Sequence, residues 1–299
     1  AINKTDNATG TISMTATGLE SYRGVLTTIY ENGGEHPATN GINVTDSTFS
    51  NNTSTGTGGA ITLMENGSTG TESLTSTIKN SVFSNNESST FGGAVSVIKY
   101  GAFDTTSNLA ITGSNFKLNN AKNGGAVSSE AEALSVGSTN FEGNTASNQG
   151  GAIYAYQGGT ASIGAKTTFT QNHAGDQGGA IFADNDTALN VDGATFTGNT
   201  AVNHGGAINS GAHANVHVSN SKFTKNEAGA GGAIALWADG GGNNVVLDQV
   251  IENTIFENNK AERTSKPGKG GAVAIMKKDP GGAQSNTTLD SVTFISNSS

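Results

Sequence analysis

A Phe-x-x-Asn tetrad recurs nine times along this chain and alternates strictly with eight Gly-Gly-Ala-Ile/Val blocks. The tetrads are Phe49/Asn52, Phe83/Asn86, Phe116/Asn119, Phe141/Asn144, Phe169/Asn172, Phe196/Asn199, Phe223/Asn226, Phe256/Asn259 and Phe294/Asn297. The glycine blocks begin at Gly58, Gly92, Gly124, Gly150, Gly178, Gly205, Gly231 and Gly270. Units of about 25–38 residues that repeat like this describe a solenoid, in which each unit buries its apolar side only against its neighbours.

Within each unit the apolar residues fall at even spacing, which is the period of a strand. Seven and five positions before the Phe stand Ile42/Val44, Leu109/Ile111, Leu134/Val136, Leu189/Val191 and Val216/Val218. Ile78, Ile251 and Leu289 keep only the nearer position, and the 161–169 unit is out of register. A bend residue follows (Asp46, Asn80, Gly113, Gly193, Asn220), then a second short strand. That strand carries a small residue two before the Phe (Ser47, Ser81, Ser114, Thr139, Ser221). The Gly-Gly-Ala block opens a third strand. The sequence therefore predicts an all-β parallel β-helix with three short strands per coil and about ten coils, stacked at about 4.8 Å. Phe stacks inside, and the Asn sits at a corner, where its amide bonds its neighbours and the turn backbone. The paired glycines serve a corner that needs positive φ or close backbone approach.

Residues 1–299 read as one β-helical unit, with 1–48 a degenerate N-terminal coil and 49–299 the regular repeats. In that first coil Ile12, Met14 and Leu19 keep the seven-and-five offsets, Tyr22 stands where Asn is expected, and Arg23-Gly24-Val25-Leu26 replaces the glycine block. The chain begins with Ala1 and stops two residues past Asn297, in mid-repeat, and so reads as a processed or truncated piece of something longer.

Composition supports strands joined by tight turns. There are 43 glycines and only 13% charged residues, and each glycine inside a helix costs about 1 kcal/mol relative to Ala. The net charge of −9 argues against nucleic acid or an anionic membrane as partner. Without cysteine there is no disulfide frame or thiolate metal site. No apolar run is long enough to span a membrane as a helix.

Alternating Phe-x-x-Asn and Gly-Gly-Ala-Ile/Val over residues 42–297 resembles the polymorphic outer-membrane proteins of chlamydiae and the AIDA-like autotransporter passengers of Gram-negative bacteria. The resemblance implies a right-handed β-helical passenger, exported through an outer-membrane barrel and displayed at the bacterial surface as an adhesin or antigen. Its expected partners are a host cell-surface protein or glycan, sulfated glycans among them, or copies of itself on neighbouring cells. The chlamydial proteins typically contain cysteine and this chain has none, which favours the wider autotransporter group. Signal peptide and barrel lie outside this sequence, so the export route rests on the resemblance.

Function in a solenoid sits on outward side chains and on loops that break the repeat. Insertions fall at one corner near both ends (Glu65–Ser73, Lys99–Ser107, Ala238–Asn244, Lys277–Asn286), leaving four plain coils between them as a saddle. If Ile153, Ile181 and Ile234 point inward, Tyr154, Tyr156, Phe182 and Trp237 point outward on these coils, with Asp184 on the same face. Exposed aromatics beside Asp and Asn suit sugar rings or a protein partner. A second candidate is basic: Lys260, Arg263, Lys266, Lys269, Lys277 and Lys278 gather in an otherwise acidic chain and suit an anion such as a sulfated glycan.

Catalysis has less support. Parallel β-helices host polysaccharide lyases and glycosidases, but Arg23 and Arg263 are the only arginines and neither adjoins an acidic cluster. Asp184, Asp186 and Asp192 are the one close Asp group, and Asp192 falls at a bend. His204, His213 and His217 show no metal-ligand spacing, and no nucleotide loop or nucleophile motif is present. The sequence points to a non-enzymatic surface adhesin without cofactor or metal. A polysaccharide-degrading β-helix and an inert stalk are the other readings.

Overall fold

The computed structural model describes residues 2–4, 10–12, 14–22, 24–31, 41–66, 73–99, 106–211, 213–238, 246–262, 268–277 and 284–299. Every regular element among them is a strand, and every strand pairing is parallel and in register from coil to coil, apart from one shift between Ala121 and Asn123 where Asn120–Asn123 meets Thr145–Gln149. Sheet A holds the strands that follow Gly-Gly, such as Val95–Lys99, Ile153–Ala155 and Ile234–Ala238. Sheet B holds those five to seven residues before the Phe, such as Thr106–Thr112 and Thr160–Ile163. Sheet C holds the Phe strands, such as Asn140–Glu142. Each has ten strands, and ten coils at about 4.8 Å give a rod roughly 45 Å long.

The predicted three sheets are joined by a fourth that the repeat pattern did not announce. Sheet D has nine strands, mostly of two residues, such as Ser54 with Thr53 or Ala174 with His173, directly after each Asn corner. Such short strands carry no visible period of two. Their mark in the sequence is a small residue two after the Asn, and these residues (Ser54, Ser88, Ala121, Ala146, Ala174, Ala201, Ala228, Ala261) are buried.

Phe rings fill the core in one continuous stack. From Phe49 to Phe294 successive centroids lie 4.5–5.2 Å apart with rings within 15° of parallel. The first eight are fully buried, while Phe294 on the last coil is 49% exposed. Each buried ring contributes about 1.5–3 kcal/mol relative to exposure. A hydroxyl ladder runs beside the stack. Ser47, Ser81 and Ser114 each donate to the carbonyl two residues back and accept the backbone N–H of the preceding coil.

The asparagines bond one another as expected, but they lie deeper than residues of a surface turn. Asn52, Asn86, Asn119, Asn144, Asn172, Asn199, Asn226 and Asn259 are completely buried, and Asn297 on the last coil is half-buried. The backbone they bond also differs from a simple turn, because it belongs to the preceding coil and not to their own. Asn86 Nδ2 donates to the Phe49 carbonyl, Asn199 Nδ2 to that of Phe169, Asn226 Nδ2 to that of Phe196 and Asn259 Nδ2 to that of Phe223. Burial follows from this partner set. A buried amide costs little only when its oxygen and nitrogen are both satisfied, and the stacked coils above and below satisfy both.

The glycine corner has both predicted reasons. Gly150 has φ +66°, and a Cβ on Gly151 would stand 2.0 Å from the Gly179 carbonyl oxygen of the next coil. The bend residues before sheet C are likewise left-handed: Asp46, Asn80 and Asn220 have φ of 46°, 50° and 48°.

Two registers differ from expectation. In the first coil Ala16, not Leu19, pairs with Phe49, and Leu19 takes the Asn place, its backbone N–H bonded to Asn52 Oδ1 at 3.1 Å. The strand pairing at Ile12–Val44 fixes this, so Tyr22 lies three residues beyond the ladder and is exposed. The replacement of the glycine block is as expected: Leu26 pairs with Ile61. In the 161–169 unit Ile163 pairs with Val136 and Val191. One extra residue in the turn, with Lys166 at φ 63°, absorbs the offset before Phe169.

A candidate binding notch on the A–B corner

The coils differ chiefly where sheet A hands over to sheet B. In the four central coils the strands of sheet A stop after three residues, at Ser129, Ala155, Ala183 and Ser210. Sheet B resumes within a few residues, at Ala133, Thr160, Ala188 and Asn215. On either side the A strands run five residues (Val95–Lys99, Ile234–Ala238) and the B strands seven (Thr106–Thr112, Val246–Glu252). Two extra residues carry a strand about 7 Å further. The result is a notch with two raised walls, about 24 Å apart across five coil spacings. Its position matches the predicted saddle. Residues 67–72, 100–105, 239–245 and 278–283 of the flanking insertions lie outside the described residues.

Tight turns require small inward residues. Where the wall coils place Leu63, Val97 and Leu236, the notch coils place Ser129, Ala155, Ala183 and Ser210. Positive φ at Gln157, Gly158, Asn185, Asp186 and His213 closes the turns. Just past the strand ends Glu130, Tyr156, Asp184 and Gly211 form one row, each backbone N–H bonded to the preceding coil at 2.6–3.2 Å.

Glu130 is the charged residue most deeply placed here, 7% exposed. Its Oε2 accepts the Lys99 backbone N–H at 2.7 Å and its Oε1 accepts the Tyr156 hydroxyl. Burial pushes its carboxyl above the ordinary range, against the opposing pull of both donors and of the Lys99 charge. Lys99 Nζ meets Glu132 at 2.5 Å. Burial, then the Asp184 and Glu130 carboxylates, pushes the Tyr154 phenol up to about 12. Asp186 on the floor is exposed and lies 3.4 Å from His213 Nδ1. Exposed Gln157, Asn185 and Thr160 complete a polar floor.

The aromatics do not stand free as expected. Ile153, Ile181 and Ile234 do point inward, and Tyr154 and Phe182 alternate outward, but they are only 8% and 2% exposed. The residue before Gly-Gly folds back across the outer face of sheet A and covers it. Phe91 stands 6.1 Å from both Tyr154 and Tyr156, and Tyr154 stacks on Phe182 at 5.6 Å. Gln177 Oε1 accepts Asn209 Nδ2 by the same fold-back. Tyr156 and Trp237 are half-buried, and Trp237 meets His204 edge-on at 5.2 Å. The outward aromatics therefore stiffen the sheet under the notch rather than offering open ring faces. One signal marked this: the residue before each glycine block is bulky or planar in these coils (Phe91, Asn123, Gln149, Gln177, His204).

Of the basic candidates, Lys260 and Lys269 lie away from the notch. Exposed Lys260 pairs with Glu262 beside sheet D, and Lys269 bridges Ala230 just before the last glycine block. Lys277 ends a strand of sheet A. Arg263, Lys266 and Lys278, with Arg23, lie outside the described residues. The close Asp group is split between corners: Asp184 and Asp186 border the notch, whereas Asp192 ends a sheet B strand and is held by Asn220 and Ser219. His217 bonds Glu252 on sheet B.

A family model for the Chlamydia polymorphic membrane protein repeat matches residues 46–63, 80–97, 138–156, 166–184 and 253–275. Each matched segment lies along a Phe-x-x-Asn tetrad and the glycine block after it, so the absence of cysteine does not set this chain apart from the chlamydial repeat. Neither the curated proteins nor the solved structures gave a match.

Proposed function

We propose, on the five segments that match the Chlamydia polymorphic membrane protein repeat, that the chain is part of an autotransporter-type surface protein and acts as an adhesive passenger that seats its ligand in the A–B notch. The observation that supports this is the run of four shortened coils between lengthened ones, all at one corner. A stalk has no use for such a break, whereas a ligand gains two walls and a polar floor. The partner is a host cell-surface protein or glycan. Its charge is not strongly negative, because Glu132, Asp184 and Asp186 border the floor.

The test is binding of the labelled full chain to arrayed glycans, sulfated polymers included, and to matrix proteins. Selective binding that Thr160→Arg with Ala188→Arg removes supports the notch. Binding confined to sulfated polymers, lost on charge reversal at Lys260 and Lys269, moves the site to the basic segment. No binding to any spot leaves the stalk, and turnover of an arrayed polysaccharide makes the protein an enzyme.

A further inference from the structure

We propose that Glu130 is an acid-sensitive clamp that fixes one wall of the notch to its floor. The clamp is a property of the fold and does not require a ligand in the notch. Its parts are three residues on successive coils. Lys99 ends the wall strand of sheet A, Glu130 follows the next A strand, and Tyr156 follows the one after. One buried carboxylate accepts from both neighbours, the Lys99 backbone N–H at Oε2 and the Tyr156 hydroxyl at Oε1. Hydrogen bonds to an ionised acceptor are roughly twice as strong as neutral ones, so the charge of a single group strengthens the tie between wall and floor beyond the backbone bonds from Glu130 to Val97 and from Tyr156 to Ser129.

The two donors answer protonation differently. A hydroxyl can turn and accept, so a protonated Glu130 donates to Tyr156 Oη and that contact survives with its direction reversed. A backbone N–H can only donate. The Lys99 bond stays on the remaining carbonyl oxygen but loses its charge assistance, so the end of the wall strand opens more often. The titratable groups facing Glu130 are Lys99 from the preceding coil, Tyr154 and Tyr156 from the next, and Asp184 beyond, with Glu132 on its own turn held by Lys99 Nζ. Burial raises the proton affinity of Glu130, which brings the transition up from the ordinary carboxylate range toward milder acidity.

Hydrogen exchange of the Lys99 amide reads the clamp directly, taken relative to the Val127 amide in the same sheet so that changes in global stability cancel. From about pH 7 down to about pH 4, the ratio of Lys99 to Val127 protection is expected to fall about fivefold, the loss of charge assistance on one bond. Glu130→Gln copies the protonated pattern, its amide oxygen accepting from Lys99 and its NH2 donating to Tyr156, so its ratio should sit at the low value at every pH. A ratio in Glu130→Gln equal to wild type throughout, or one that still falls with acid, overturns the proposal. Tyr156→Phe gives an independent reading should Glu130→Gln fail to fold. The Tyr156 bond holds the carboxyl down, so removing it must move the transition to higher pH, and an unmoved transition also overturns the clamp.

Discussion

Asn144 gives both its backbone N–H and its side-chain Nδ2–H to Asn172 Oδ1, each at 3.0 Å. The same double bond recurs at every step, from Asn52 to Asn86, Asn86 to Asn119, Asn119 to Asn144, and Asn172 to Asn199. It continues from Asn199 to Asn226, Asn226 to Asn259 and Asn259 to Asn297. Each Nδ2 also donates to the carbonyl of the preceding coil's Phe, or of Ala16 at the first step. All the side-chain amides therefore point one way along the rod, and no shorter polar residue could fill the three roles.

Asn144→Ala is expected to destabilise the fold by about 3 kcal/mol: the buried Asn119 N–H loses its acceptor, and the Asn119 amide, the Phe116 carbonyl and the Asn172 oxygen each lose one bond, although the Asn144 backbone N–H still reaches Asn172 Oδ1. Asn297→Ala on the part-buried last coil should lose about 1 kcal/mol. Denaturant titration of the two variants gives the comparison.

The Phe stack makes the same distinction through packing. Phe169→Ala leaves a cavity between two rings at 4.9 and 4.7 Å and should cost about 4 kcal/mol. Phe294, half exposed and stacked on one side only, should cost about 1 kcal/mol when truncated. Thermal melts of the two proteins compare them directly.

Glycine substitution separates backbone contact from mere composition. Gly151→Ala drives a methyl into the Gly179 carbonyl at 2.0 Å and should prevent soluble expression. Gly164, whose added Cβ would find its nearest neighbour at an ordinary 3.5 Å, should accept Ala within about 0.5 kcal/mol. Yield and melting temperature distinguish them.

Glu130 also sets a pH dependence of stability. Its carboxyl is held above the unfolded value by burial, so the folded state binds the proton more tightly. The stability this contributes is full below the unfolded pKa and is lost as pH rises through the folded one. Melting temperature should therefore fall over that rise in wild type, and Glu130→Gln should remove that component. Acid thus helps the fold as a whole while loosening the single Lys99 bond, because relief of the desolvation outweighs the lost charge assistance.

Phe, Asn and Gly were legible in the sequence because each position has one tolerable residue: a ring between rings, an amide with three duties, a corner without room for Cβ. The saddle was legible as well, since inserted length shows in the spacing of the repeats. Depth was harder to read. The tetrad places Asn86, Asn199, Asn226 and Asn259 at a corner bonding one another, as found, but that they are wholly inside follows from partners on other coils and not from local sequence. Alternation correctly turned Tyr154 and Phe182 outward, but period alone does not tell that Phe91 and its equivalents fold over them. The first coil misled for a related reason: Leu19 looked like a core residue at the right offset, yet the pairing of Ile12 with Val44 places Ala16 there. Sheet D escaped because two-residue strands have no period to read.

The central claim is that the notch, and not the rod at large, holds the ligand. Affinity for the best array ligand should be measured for wild type, for Thr160→Arg with Ala188→Arg on the notch border, and for Thr170→Arg with Thr197→Arg on sheet C. The account predicts that the notch variant loses binding by about tenfold or more while the sheet C variant binds as wild type. Equal affinity in all three, or loss only in the sheet C variant, would contradict it.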